Sequence, residues 1–274
     1  MVTRISYRTR RKVKNALFVS ILTVMTCLAV LPLLSLLWSI GVHGISSLAG
    51  LLGASLGRRT AGALLVKALV QSLLTITAAA ALSVPLGVAT AIYNSQYAGL
   101  RAGRTIRFAI DIQSGSPSIL AGMVLFALLP RTSPLLAGVL ALVLYMLPVV
   151  ARTADQVLSA VPVAYIEGSL ALGASRFQTI FATVLPTSRT SLITALLFVI
   201  ARMAGETAPL LVILDGGTTS GGGTGFQPLS LRLYSDLTQG RYFPHQIVYA
   251  EALLLLVVIV VVYGLARWID RSHR

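Results

Sequence analysis

Residues 191–214 read SLITALLFVIARMAGETAPLLVIL. Twenty-four residues without a break in apolar character are long enough to cross a bilayer, whose core needs roughly 20. Two charges, Arg202 and Glu206, stand inside the run. The rest of the chain repeats the pattern. Uncharged runs cover 16–40 and 68–93; 108–130 carries only Asp111, 134–150 is short, and 247–266 carries only Glu251. These six runs predict an all-α integral membrane protein of six transmembrane helices. In the third, Gly115 and Pro117 predict a late helix start. Composition agrees: 56% hydrophobic residues, 11% charged, mean hydropathy +0.85. A soluble domain runs near a quarter charged, and a disordered chain lacks the apolar content. The first run is too long for a signal-peptide core and no small-residue cleavage pattern follows, so it reads as a retained helix.

The net charge of +14 does not point to nucleic acid. Six basic residues crowd into a tail at 1–15, and the others lie thinly between the apolar runs, with no basic stripe interleaved with aromatics. With the N-terminus inside, the inner segments 1–15, 94–107, 151–190 and 267–274 hold 15 Lys/Arg against 6 in the outer segments 41–67, 131–133 and 215–246. That asymmetry predicts cytoplasmic N- and C-termini in the cytoplasmic membrane. The tripeptide 131–133 reads as a tight outer hairpin between Pro130 and Pro134. The run DGGTTSGGGTG at 215–225 reads as a flexible outer loop rather than a phosphate cradle.

Residues 151–190 are too polar to span and too patterned for disorder. Leu158, Val161, Ile166, Leu170 and Leu172 mark one short amphipathic helix, with Pro162 near the middle. Gly173-Ala174 breaks it. Ser175 and Gln178 form a capping-box pattern before a second helix, where Phe177, Ile180, Phe181 and Val184 share a face and Leu185-Pro186 ends the helix. A pair of short helices on an inner loop fits a membrane-surface hairpin or a docking element for a cytoplasmic partner.

The loop resembles the EAA loop of ABC-importer permeases, in which E-A-A is followed after three residues by G and after nine more by I-x-L-P. Glu167, Gly173, Leu185 and Pro186 fall at the matching positions, while Gly168 and Ser169 replace the two alanines and Thr183 the isoleucine. The segment Arg202-Met-Ala-Gly205-Glu206-Thr-Ala-Pro209-Leu210 resembles the R-x-x-G-E-T-A-P-L segment of phosphate ABC transporter permeases of the A type. Ser116-Pro117-Ser118-Ile119 and Pro228-Leu229-Ser230-Leu231 are similar to the same family. The resemblance covers roughly 65–270, so that 65–267 reads as a type I ABC-importer permease core with a coupling loop at 151–190 and a short tail at 268–274. It implies a subunit with no ATPase site or cofactor of its own. Its implied partners are a second phosphate permease subunit, two ATPase subunits touching Glu167 and Gly173, an extracytoplasmic phosphate-binding protein, inorganic phosphate and membrane lipid, with no nucleic acid.

Arg202 and Glu206, four apart, would share a helix face. Each ionised group at mid-membrane costs about 2.5–3.5 kcal/mol on insertion scales, so both must pair or face a cavity. One reading is a self-neutralising pair. The other, which the resemblance strengthens, puts both on the substrate pathway: a guanidinium fork suits phosphate oxygens, and a carboxylate accepts a hydrogen bond from P–OH, which sulfate lacks. Asp111 reads as a local partner of Arg107 or a contact to a helix N-terminal dipole rather than a transport group, and Glu251 as a partner of Arg241 or Arg202. Gln71, Thr75 and Thr77 read as helix-to-helix glue, and His43, His245 and His273 as solvated. The sequence has no H-E-x-x-H and no G-x-S-x-G. The nearest approach to a P-loop, at 168–175, lacks the lysine. One cysteine, Cys27, closes no intrachain disulfide and makes no zinc site. The competing functions are a permease for another oxyanion and a secondary carrier not driven by ATP; a carrier is expected to show inverted repeats with broken midplane helices.

Overall fold

The computed structural model describes residues 3–52, 56–97, 101–129, 133–215, 225–239 and 245–272. Among these there is helix and no strand. In hydrocarbon only a helix satisfies its own backbone within one segment. The helices are α1 (Thr3–Leu52), α2 (Leu56–Tyr97), α3 (Arg101–Gly115), α4 (Ser118–Leu128), α5 (Pro134–Ser159), α6 (Val163–Ala171), α7 (Arg176–Thr179), α8 (Leu185–Ala204), α9 (Ala208–Leu210), α10 (Leu229–Gln239) and α11 (His245–Ser272). Two π-turns, Ile180–Val184 and Leu211–Asp215, follow α7 and α9.

Among the described residues five helical stretches are long and apolar enough to cross a membrane, and α3 with α4, bent by 105°, passes the same test as a pair, giving six if the pair is counted as one span. The late start expected of the third helix is instead this break. Ser116 and Pro117 leave the helix, and Pro117 caps α4. The helices also overrun the expected connecting segments. The outer segment 41–67 is helical except for the undescribed 53–55, and the short fourth run extends to Ser159. The hairpin tip at 131–132 and the glycine run at 216–224 lie outside the described residues.

α5 is the central element. Ala141, Leu142, Met146, Val150 and Ala154 are buried along it, against Ala79 and Ala91 of α2 and Leu192, Leu196 and Met203 of α8. Small residues let α2 approach closely: a side chain at Gly87 would strike Val150 and the backbone of Ala151. Ser83 satisfies its hydroxyl on its own helix at Ala79 O, 2.7 Å away. α1 is different. It packs through its C-terminal third, where Gly44 meets Leu253 and Tyr249 of α11 and the His43 ring lies 5.1 Å from Tyr249. His43 is exposed, and its ring is also bonded to Ser39 O at 3.0 Å. The most apolar window of α1 is unburied within the chain.

Candidate functional site

Two breaks in the spans open on one cavity. The first is the α3–α4 bend at Gly115–Pro117. The second follows α8, which stops at Ala204 with Gly205 as its C-cap. Glu206 therefore does not continue the helix that carries Arg202, as the four-residue spacing had led us to expect. Its backbone N–H bonds Met203 O at 2.9 Å, and the chain resumes as helix only at Ala208. Gly122 of α4 sits directly on Pro209, where any Cβ would collide with the Pro209 carbonyl. Glycine is required there because the two broken spans pack backbone to backbone.

The cavity, about 430 Å³, is lined by Ser114, Ser116 and Ser118 from the first break, Tyr145, Arg152 and Gln156 from α5, and Arg202 and Glu206 from the second break. Irregular backbone at membrane depth is tolerated where it lines such a cavity. Arg202 and Glu206 form no ion pair with each other among the described residues. Instead the Arg202 guanidinium lies 3.4 Å from the Tyr145 hydroxyl, which also interacts with the Glu206 carboxylate. The phenol stands between the two charges and keeps both directed into the cavity. Sequence reasoning missed Tyr145 and Ser114, and picked out Ser116 and Ser118 only as part of a family-like motif, not as cavity lining: a phenol on an apolar helix carries no distinctive spacing.

Below this cavity lies a second of about 230 Å³, which shares Arg152 and Gln156 and adds Asn94, Arg107, Asp111 and Asp155. Here the expected local Arg107–Asp111 pair is absent. The charges cross between α3 and α5 instead, Arg107 to Asp155 and Arg152 to Asp111, each at 3.7 Å. Arg152 also donates to the Ser114 hydroxyl at 3.2 Å and Arg107 to the Asn94 carbonyl at 3.1 Å. A four-residue helical spacing made the local pair attractive. The packing of α3 against α5 offered each arginine a partner across the interface.

Glu251 does not pair with Arg202, and Arg241 lies outside the described residues. Its carboxylate, fully buried in α11, accepts from Arg232 Nε of α10 at 2.6 Å, with Asp236 3.7 Å from the same nitrogen. The i, i+4 spacing of Arg232 and Asp236 in the alternating segment 229–237 is compatible with a helix, but it says nothing of Glu251 as a partner. Gln71 acts as glue, though to a connecting segment rather than to a helix: it donates to Gly225 O and accepts from the Gln227 N–H. Ser72 accepts from the Leu229 N–H at 2.6 Å. Among the described residues Thr75 bonds its own helix, at Gln71 O.

The loop after α5 holds the two expected short helices. Gly173 adopts φ +86°, a left-handed conformation that favours glycine, and turns α6 into α7. The Ser175–Gln178 capping box is complete, and Ser169 and Thr179 share a hydrogen bond of 3.1 Å that closes the hairpin. Leu185-Pro186 does not end the second helix. The π-turn at Ile180–Val184, with Leu185 N–H bonded to Ile180 O, carries the chain past Pro186 into α8. The expected single apolar face divides: Ile180 and Val184 are buried, while Phe177 and Phe181 stack at 4.5 Å on the exposed side. Leu172, at the tip, is 90% exposed. Glu167, on α6, is exposed.

Broken spans around a polar cavity and an exposed apolar loop hairpin define a multi-pass membrane transport protein. Residues 83–274 match the family described as binding-protein-dependent transport system inner membrane component, and the chain belongs to that family. It is 36% identical over 199 residues to the phosphate transport system permease protein PstA 1 of Mycobacterium tuberculosis, covering 70% of this chain and 66% of that one. The chain thus spans just under two thirds of the mycobacterial relative. It is 29% identical over 267 residues to the probable phosphate transport system permease protein PstA of Methanocaldococcus jannaschii, covering 94% of both. Its fold is similar to that of the inward-facing methionine ABC transporter MetNI (TM-score 0.60, 18% identity, 76% of this chain and 93% of that chain). It is also similar to a bacterial ABC transporter involved in the import of the acidic polysaccharide alginate (TM-score 0.64, 14% identity, 97% and 99%). The fold is therefore that of the type I ABC-importer permeases, as the sequence implied.

Proposed function

We propose that this chain is one of two permease subunits of an ATP-driven importer of inorganic phosphate, and that the anion passes through the cavity between the two breaks. The observation that carries this reading is the arrangement of Arg202 and Glu206 there, held apart by Tyr145 rather than neutralised against each other. A guanidinium offers a planar fork to phosphate oxygens. Serine hydroxyls and the phenol add neutral donors. Glu206 is suited to accept a hydrogen bond from a protonated phosphate oxygen and repels an anion that has none. Relatives named as phosphate permeases support the choice of solute.

In the same reading the partners are a second phosphate permease, two ATPase subunits and an extracytoplasmic phosphate-binding protein. The hairpin of α6 and α7 docks on an ATPase subunit, with Glu167 and Gly173 at the contact and the apolar tip Leu172, Phe177 and Phe181 as anchors. Leu185-Pro186, continuous with α8, pass its motion to the helix that carries Arg202. ATP binding closes the ATPase pair, and the bundle alternates its opening.

The test is competitive anion uptake by the assembled complex in proteoliposomes. The parent should take up labelled phosphate only with ATP and resist excess sulfate. Arg202→Ala should abolish uptake, while Glu206→Gln should lose discrimination between phosphate and sulfate. An unchanged phosphate-to-sulfate ratio in Glu206→Gln removes that residue from selection. Transport of another solute in place of phosphate overturns the substrate.

A further inference from the structure

Between the middle of α8 and the C-terminal end of α11, away from the cavity between the breaks, lies a separate pocket of about 550 Å³. Its lining comprises Ser191, Thr194 and Phe198 of α8 and Arg267, Asp270 and Arg271 of α11. Three observations bear on its occupant. First, Arg267 and Arg271 are four apart on one helix, so both reach the same side, and neither is ion-paired to a carboxylate among the described residues. Asp270 lies between them but has an interaction of its own. Second, the position is a membrane boundary. The apolar run of α11 ends at Ala266 and the charges begin at Arg267. Trp268 beside them is 68% exposed, as amphipathic rings are at the headgroup level. Third, the pocket is two-faced. The arginines and the Ser191 hydroxyl form one end, and Phe198, stacked on Tyr263 at 5.1 Å, forms an apolar wall towards the hydrocarbon.

We propose that this pocket binds the headgroup of an anionic phospholipid, with its phosphate on Arg267 and Arg271 and an acyl chain along Phe198 and Tyr263. Basic pockets between spans are suited to phospholipid headgroups. A free inorganic anion uses the charged end but gains nothing from the apolar wall.

Quenching of Trp268 tests this. The chain has two tryptophans, Trp38 and Trp268, so Trp38→Phe leaves Trp268 as its one reporter. The full-length Trp38→Phe chain is placed in phosphatidylcholine nanodiscs containing a small fraction of phosphatidylglycerol brominated on its acyl chains, or the same fraction of brominated phosphatidylcholine. Anionic lipid should quench with an apparent local enrichment of about tenfold over its mole fraction, and neutral lipid with none. Arg267→Gln/Arg271→Gln should bring the anionic signal down to the neutral one, whereas Arg267→Lys/Arg271→Lys should keep most of it. Equal quenching by the two lipids, or enrichment that survives the Gln pair, overturns the proposal. Displacement of the excess quenching by inorganic phosphate would assign the pocket to a free anion and overturn the lipid.

Discussion

Glu251 shows how a single buried charge is tolerated in this chain. Its carboxylate is fully buried, and Arg232 meets it at 2.6 Å from a helix 19 residues earlier in the chain. Removing one partner of such a pair strands the other in a medium that cannot solvate it, at a cost of about 3–5 kcal/mol. We expect Glu251→Ala to lower the melting temperature of the detergent-solubilised protein sharply. Asp236, 3.7 Å from the same guanidinium nitrogen, can compensate in part, so Glu251→Ala/Asp236→Asn should be worse than the two losses added. Strict additivity in the melting free energies would show that the two carboxylates do not share Arg232. The sequence identified Glu251 as an intramembrane acid in need of a partner. It did not identify the partner, because that choice depends on how α10 packs against α11, and no local pattern encodes that.

At the scale of the element, proline explains most of what the hydropathy runs leave open. Pro148 lies inside α5 and has no N–H, so the Leu144 carbonyl loses its helical donor. Gln113, on the last turn of α3, supplies the replacement at 2.6 Å. This bond fastens the rim of the first break to the central helix, one residue from Tyr145. Gln113→Leu leaves that carbonyl unsatisfied in the bundle, a loss of about 1–3 kcal/mol. Restoring an N–H with Pro148→Ala should recover much of this, so a double-mutant cycle by thermal unfolding should show a coupling above about 0.5 kcal/mol. Independent effects would mean that the glutamine positions nothing. Pro186 poses the same problem and is accommodated differently, by a π-turn. The sequence reading took it for a helix end because proline ends helices more often than it is absorbed. Gly173 and the capping box were legible because their chemistry is local: a left-handed turn and a reciprocal hydrogen bond need only neighbouring residues.

For the whole molecule, length and apolarity decided the class, and the number of crossings followed once the bent pair α3–α4 counts as one. What the sequence could not supply is the convergence of the two breaks on one cavity, since residues 115–117 and 205–207 meet only through α5 and the close approach of Gly122 to Pro209. We propose that the chain crosses six times with both ends on one side, which the distribution of basic residues argues is the cytoplasm. The reading has a direct physical test, because Cys27 is the one native cysteine. In a Cys27→Ala background, Leu172→Cys at the loop tip and Ser133→Cys at the start of α5 should lie on opposite faces; both positions are exposed. A membrane-impermeant maleimide added to intact cells should label Ser133→Cys and reach Leu172→Cys only after the membrane is opened. Co-expression of the ATPase subunit should then slow labelling of Leu172→Cys severalfold, because an anchor seated in a groove is shielded from the reagent. Labelling of Leu172→Cys in intact cells would invert the topology and separate the hairpin from any ATP-hydrolysing partner. Labelling from the inside that is indifferent to the ATPase subunit would keep the topology and remove the hairpin tip from the docking surface.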